Sequence, residues 1–366
     1  MLLYFSIKNQ DRQLSLDLIR LASALAIILI HTVSLRYFDL DQLGYKNWIV
    51  SASLGWLVIW GTPLFVMVSG YLLIGSAAKT NATDFWKKRF HKLAIPLIFW
   101  NIFYYLFNHH SSAGSVVEFF SQLFASGTAS HLYFLNIMVG LYLLTPFLTN
   151  YLSKTNLKIV VPILILLSAF YHYSYSFLGF PRLNNIFIWF IPYLGYYLAG
   201  YLVGNLPTIK HFKIISSLIV FIFLLSIFVT RKLVFIFETH DQDTILVSNL
   251  SLPVAGIALL IFYFLSHLSN NILQKHSHVL LKLSNLTFGV YLIHPFWLEI
   301  LKNISITSYW PWFLSVFILA VLLSFSSVWL LSKIPYVRHF ISTSSTTATT
   351  ASSSTSTRKS TTTTRS

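Results

Sequence analysis

Residues 16–35 read LDLIRLASALAIILIHTVSL, and the reading of this stretch decides the fold. It is long and apolar enough to cross a bilayer, which takes about 20 residues of helix. Yet it carries Asp17, Arg20 and His31. Ionisable groups inside a spanning helix are costly, so they face a protein interior or water rather than lipid. At about 100° per residue, Arg20 and His31 fall within about 20° of each other and about 16 Å apart along the axis. Asp17 lies about 40° from His31 by the same arithmetic. All three project from one stripe, with Ala24, Ile27 and Ile28 between them. Alone, Arg20 reads equally well as a helix-end side chain snorkelling to headgroups, and His31 as a hydrogen-bonded core residue. The alignment of the set favours function.

Outward from this span the composition repeats the same message. The 366 residues are 55% hydrophobic and 10% charged, with a mean hydropathy of +0.69. A soluble domain carries about 25% charge. Apolar segments recur at 16–35, 51–74, 93–109, 132–150, 157–176, 186–204, 212–231, 250–268, 284–301 and 311–332. The expected fold class is an all-α integral membrane protein of about ten transmembrane helices. The first span is too long, and too charged, to read as a cleaved signal peptide. The net charge of +15 does not point to nucleic acid, because the basic residues sit in short loops between spans. With both termini cytoplasmic, nineteen of the 25 Lys and Arg fall inside, as the positive-inside rule requires. Arg20 then lies near the inner surface and His31 in the outer half of a cell membrane. The chain has no cysteine, which excludes disulfides, thiol nucleophiles and cysteine metal sites.

The most basic loop is DFWKKRFHKLAIP, Asp84 to Pro96. It reads as a topology anchor at an anionic leaflet, or as a grip on the phosphates of a cytosolic donor. On the opposite side SVVEFFSQLF has the pattern of a short interfacial helix. From Ser342 the chain is almost pure Ser and Thr with a few basic residues, a composition that cannot bury a core. Residues 1–341 therefore form one membrane domain and 342–366 a tail.

Signatures such as G-x-S-x-G, H-E-x-x-H and the phosphate-binding loops are absent. His109/His110 and His276/His278 are loop pairs without carboxylate companions in the sequence, so no metal is expected. His131 opens HLYFL and reads as an interfacial aromatic-belt residue or a site residue. His294 precedes Pro295, which frees a backbone carbonyl nearby. Pro63, Ser69 and Gly70 make the second span kinkable.

In this order the motifs resemble the acyltransferase-3 family of membrane O-acyltransferases. The similarity rests on Arg20-x10-His31, PLFVMVSGYLL, a basic loop running into LAIP, HLYFL with GLYLLTP, and FGVYLIHP. It covers roughly residues 11–340. Two departures stand out: Lys92 fills the second basic place of Arg89-Phe-His-Lys92, and Tyr133 follows Leu132 where Trp is usual. The resemblance implies acyl-CoA, most simply acetyl-CoA, as donor and a hydroxyl of a cell-surface polysaccharide or lipid-linked saccharide as acceptor. His31 is then the catalytic base, Arg20 a donor-binding and catalytic residue, and Asp17 its orienting partner. Arg89 and Lys92 would bind the donor's phosphates, and His131 and His294 the acceptor. Partners are the acyl-CoA, the glycan and membrane lipids, and nothing in the sequence excludes a homo-oligomer. The competing readings are a transporter or flippase that uses the same buried charges as a path, and a structural subunit. Against the former stands the lack of an inverted repeat.

Overall fold

The computed structural model describes residues 14–36, 40–109, 115–125, 127–152, 156–180, 187–207, 209–237, 246–268 and 273–341. The Ser/Thr tail, His110, Lys8, Arg12, Lys154 and Arg182 lie outside the described residues.

Every described element is a helix, as the apolar runs require. The chain forms α1 (Leu14–Ser34), α2 (Leu40–Leu57), α3 (Gly61–Ala77), α4 (Ala82–Asn108), α5 (Val116–Ala125), α6 (Tyr133–Leu152) and α7 (Leu157–Phe177). There follow α8 (Leu194–Gly204), α9 (Phe212–Phe237), α10 (Leu252–Ser266), α11 (Ser277–Leu301), α12 (Tyr309–Leu331) and the short α13 (Arg338–Ile341). Single 3-10 turns, Ser130–Leu132 and Ile191–Tyr193, lead into α6 and α8. Eight helical stretches among the described residues are long and apolar enough to cross a membrane. The expected spans at 250–268 and 186–204 form the shorter helices α10, with 15 residues, and α8, with 11. The expected span at 51–74 is interrupted by a turn at 58–60, so that its two parts are the end of α2 and most of α3.

Apolar side chains cover the outside as well as the core. Ile214, Leu218, Phe221, Leu225 and Phe228 along α9 are all exposed, which suits a lipid-facing helix and would be a liability in water. Polar groups turn inward instead: Asp17, Asn101, His131, Thr145 and His294 are buried.

The tightest crossing is α3 on α8. A Cβ added to Gly70 would lie 1.8 Å from the Tyr197 carbonyl oxygen, and one on Gly200 1.9 Å from that of Met67. Small residues let membrane helices approach backbone to backbone, where dispersion and not the hydrophobic effect drives association. This crossing braces α3, which in turn packs on α1. Gly200→Ala should therefore force α3 and α8 apart, at the about 1–3 kcal/mol typical of overpacking. It should lower the thermal midpoint of the purified protein. An unchanged midpoint would contradict the close crossing.

At the other end of α4, α5 folds back. The Tyr105 hydroxyl donates to the Ser115 carbonyl at 2.7 Å, and His109 Nε2 meets Glu118 Oε1 at 3.1 Å. The loop histidine His109 thus has a carboxylate companion nine residues on, against the reading of an isolated pair. Hydrogen bonds to the Tyr105 carbonyl and to Glu118 raise its pKa above the usual imidazole value. Thr80 and Ser115 flank opposite ends of α4. In a cysteine-free chain, topology can be read with single cysteines. A Cys at Thr80 should be shielded from an impermeant thiol reagent in intact cells, and one at Ser115 should react. The reverse pattern would invert the orientation drawn from the basic residues.

Candidate active site

The first helix supplies residues to both groups, Asp17 and Arg20 to one and His31 to the other. α1 packs along α11, and their contacts run in the same order on both. Asp17 meets Ser284 near one end, and His31 meets His294 toward the other. The two helices are thus parallel, and the stripe read from the sequence faces α11.

At the first end Asp17 is buried, at 1% exposure. Its carboxylate accepts from the Ser284 hydroxyl at 2.7 Å and from Arg20 Nη1 at 3.4 Å. A buried carboxylate is tolerated when it is paired and hydrogen-bonded. Here the pairing also fixes where the Arg20 guanidinium can point. Arg20 is half-buried and borders a cavity of ≈ 300 Å³. The same cavity is lined by Arg89 and Lys92 from α4, by Ser69 from α3 and by Tyr142 from α6. Arg89 donates to the Ser76 hydroxyl at 3.2 Å, which ties the basic segment to the end of α3; that segment, read as a loop from the sequence, forms the first turns of α4. Three cations from two distant stretches of sequence therefore line one pocket, each of them partly exposed.

At the other end three imidazoles meet. His31 and His294 are edge to face with ring centroids 5.0 Å apart, and His131 and His294 are 5.8 Å apart. His131 is 2% exposed and His294 fully buried. The belt reading of His131 therefore fails: it sits inside the bundle, with the Tyr104 ring of α4 packed edge-on at 4.8 Å.

Local chemistry fixes the tautomer of His294. Pro295 has no N–H, so the carbonyl four residues back, that of Tyr291, loses its helical partner. His294 Nδ1 takes its place, 2.7 Å from the Tyr291 oxygen and 3.2 Å from that of Val290. A carbonyl can only accept, so Nδ1 carries the proton and Nε2 presents a bare lone pair. That Nε2, like the Nε2 of His131, is buried without a hydrogen-bond partner. Such buried orphans are rare in folded proteins and ask for an explanation. Two of them on adjacent rings fit a site that receives a hydroxyl.

Tyr291 joins the two ends. It lines the basic cavity, its ring stands 5.8 Å from His294 and 5.9 Å from His131, and its hydroxyl donates to the His131 carbonyl. Nearby, the Tyr104 hydroxyl donates to the Leu292 carbonyl at 2.7 Å, which pins α11 against α4. Of the seven site residues expected from the sequence, Arg20, Arg89 and Lys92 line one cavity, with Asp17 bonded to Arg20 beside it, and His31, His131 and His294 form a separate cluster; Tyr291 touches both groups. Sequence reasoning missed Ser284, Tyr104 and Tyr291. Of these only Tyr291 left a trace, as the residue whose carbonyl Pro295 frees.

Among the described residues no group of three or more His, Asp or Glu side chains could hold a metal ion. The contacts between the rings are edge to face, His31 on His294 and His131 on His294.

Comparison with curated proteins and with solved structures gave no match. A family model described as an acyltransferase domain matches residues 13–329, a stretch that contains every site residue named above. The match favours acyl transfer over the transporter or flippase reading. The chain is a multi-pass membrane protein of the acyltransferase-3 family.

Proposed function

We propose that the protein transfers an acetyl group from acetyl-CoA to a hydroxyl of a cell-surface polysaccharide or of its lipid-linked precursor. The observation that supports this reading is that Tyr291 both lines the cavity of Arg20, Arg89 and Lys92 and contacts the histidine cluster. The phosphates of CoA would lie against Arg20, Arg89 and Lys92. The pantetheine arm then runs past Tyr291 for the about 16 Å that separate Arg20 from His31 along their helix.

A sugar hydroxyl is a poor nucleophile until a base takes its proton, and imidazole is the usual base. His31 takes that role: it borders the cluster, is only half-buried, and contacts His294. The acceptor oxygen forms a bond to the thioester carbonyl carbon while its proton passes to the imidazole. The carbon–sulfur bond then breaks, and the leaving thiolate takes the proton back as CoA-SH. His131 and His294 hold the acceptor in place through their unpartnered Nε2 atoms, that of His294 able to accept from a further sugar hydroxyl. Asp17 keeps Arg20 turned to the donor.

The absence of cysteine makes the test clean, because a thiol-reactive dye reads released CoA alone. Purified protein in nanodiscs with acetyl-CoA should release CoA only when a glycan acceptor is added. Import of an intact glycan without thioester cleavage would overturn the reading in favour of transport.

A further inference from the structure

α6 separates the basic pocket from a second, larger cavity. Phe134, Met138 and Tyr142 face the first; Asn136, Val139, Gly140 and Leu143 face the second. This second cavity, of ≈ 730 Å³, lies between α4, α5 and α6 and is closed behind by Phe190. Its walls are apolar, and it is continuous with the lipid-facing surface through Ile98, Ile102 and Leu143, all exposed. Water and sugars gain nothing from such walls, whereas a hydrocarbon chain does.

Two polar side chains interrupt the lining. Asn101 is fully employed: its amide donates to the Leu97 carbonyl at 2.8 Å, and its oxygen accepts from the Thr128 backbone and hydroxyl at 3.2 and 3.1 Å. Asn136 is not. It is 8% exposed, and its Nδ2 has no hydrogen-bond partner. An unpaired buried donor is disfavoured, so this one points to a ligand that brings an acceptor atom into an otherwise apolar groove.

Position narrows the ligand. Asn136 lies in the first turn of α6, just beyond His131, and Asn101 is bonded to Thr128, three residues before His131. The polar end of the groove is therefore level with the histidine cluster, and Leu143 and Leu144 extend it away from that level. A lipid with its tail along Leu143 would present its headgroup beside the histidines. The acceptor atom at Asn136 must be neutral, because a phosphate there would leave its charge in apolar surroundings with one amide for compensation.

We infer that this groove binds one acyl chain of a glycolipid, with Asn136 Nδ2 donating to the chain's ester carbonyl, and that the sugar so anchored is the acceptor. This rests on the proposed transfer to a saccharide hydroxyl and names the form in which the saccharide arrives. Donor and acceptor then reach the histidines from two faces of α6.

The test uses the full chain in phosphatidylcholine nanodiscs with a trace of glucosyl diacylglycerol carrying a diazirine on one acyl chain. After illumination without acetyl-CoA, mass-spectrometric mapping should find label concentrated at 97–102 and 136–144. The exposed α9 should carry only background label. Unlabelled glucosyl diacylglycerol should compete, and neither phosphatidylcholine nor a polyprenyl phosphate should. Val139→Trp, which fills the groove, should abolish the excess. Asn136→Leu should weaken competition about three- to tenfold, the worth of one hydrogen bond; it decides the matter if Val139→Trp does not fold. Label spread over the groove and α9 alike, competition by phosphatidylcholine, or an unchanged Asn136→Leu protein would overturn the site. Competition by polyprenyl phosphate alone would overturn the ligand class. Because labelling needs no donor, failure here leaves CoA release untouched. Normal labelling without CoA release would instead sink the transfer reaction.

Discussion

His31→Ala should abolish acyl transfer while leaving the protein abundant and folded. The loss expected for a missing general base is about 10²- to 10⁴-fold in kcat. The donor pocket, formed at the far end of α1, should keep its affinity for acetyl-CoA. The packing cost should be small, because His31 is half-buried and its ring makes no hydrogen bond among the described residues. His294→Ala differs in kind. It removes a fully buried ring from beside Pro295 and leaves the Tyr291 carbonyl unpaired, so abundance should suffer along with activity. A His31→Ala protein that is abundant and acetylates at the wild-type rate would place the base elsewhere.

The second large effect belongs to the donor. Arg89 and Lys92 share a cavity with Arg20, far from the histidines. Neutralising both, as Arg89→Gln with Lys92→Gln, should raise KM for acetyl-CoA with a smaller change in kcat, the mark of lost ground-state binding. Each hydrogen bond to a charged group is worth about 1.5–3 kcal/mol, or roughly ten- to hundredfold in affinity. The pair should thus raise KM by at least about tenfold, read from initial rates in nanodiscs across donor concentrations. Lys92→Arg should be neutral or lower KM, since a guanidinium can hold two phosphate oxygens where an ammonium holds one point. If the double variant leaves KM unchanged, the loop is a topology anchor and the phosphates bind elsewhere.

Much of this was legible in the chain itself. The 3.6-residue period places Asp17, Arg20 and His31 on one stripe, and that stripe turns inward on α11 as expected. The freed carbonyl before Pro295 is also a sequence-level fact, and it explains why the His294 proton sits on Nδ1. What could not be read was pairing between helices far apart in sequence. Nothing near Asp17 announces Ser284, 267 residues on, and nothing near His131 announces Tyr104 or Tyr291. Those meetings depend on how whole helices pack. Span boundaries differ from the reading where the apolar pattern is continuous but the backbone is not. Residues 51–74 read as one helix, yet the chain turns at 58–60, just before Gly61. At Gly61 a Cβ would approach the Ser23 carbonyl of α1 to 3.2 Å. Small residues that permit such approaches look in sequence like ordinary apolar filler. The companion of His109 was missed because Glu118 lies on the next helix, and its approach to the end of α4 is again a matter of packing.

The most direct measurement follows the acetyl group itself. Purified protein in nanodiscs is given acetyl-CoA labelled with carbon-13 in the acetyl carbonyl, together with a glucosyl diacylglycerol or an isolated surface polysaccharide. Transfer predicts the label in an alkali-labile ester on a sugar hydroxyl, with one CoA released for each ester formed and neither product from His31→Ala. Intact acetyl-CoA beside unmodified glycan, under conditions in which the protein binds both, would contradict it.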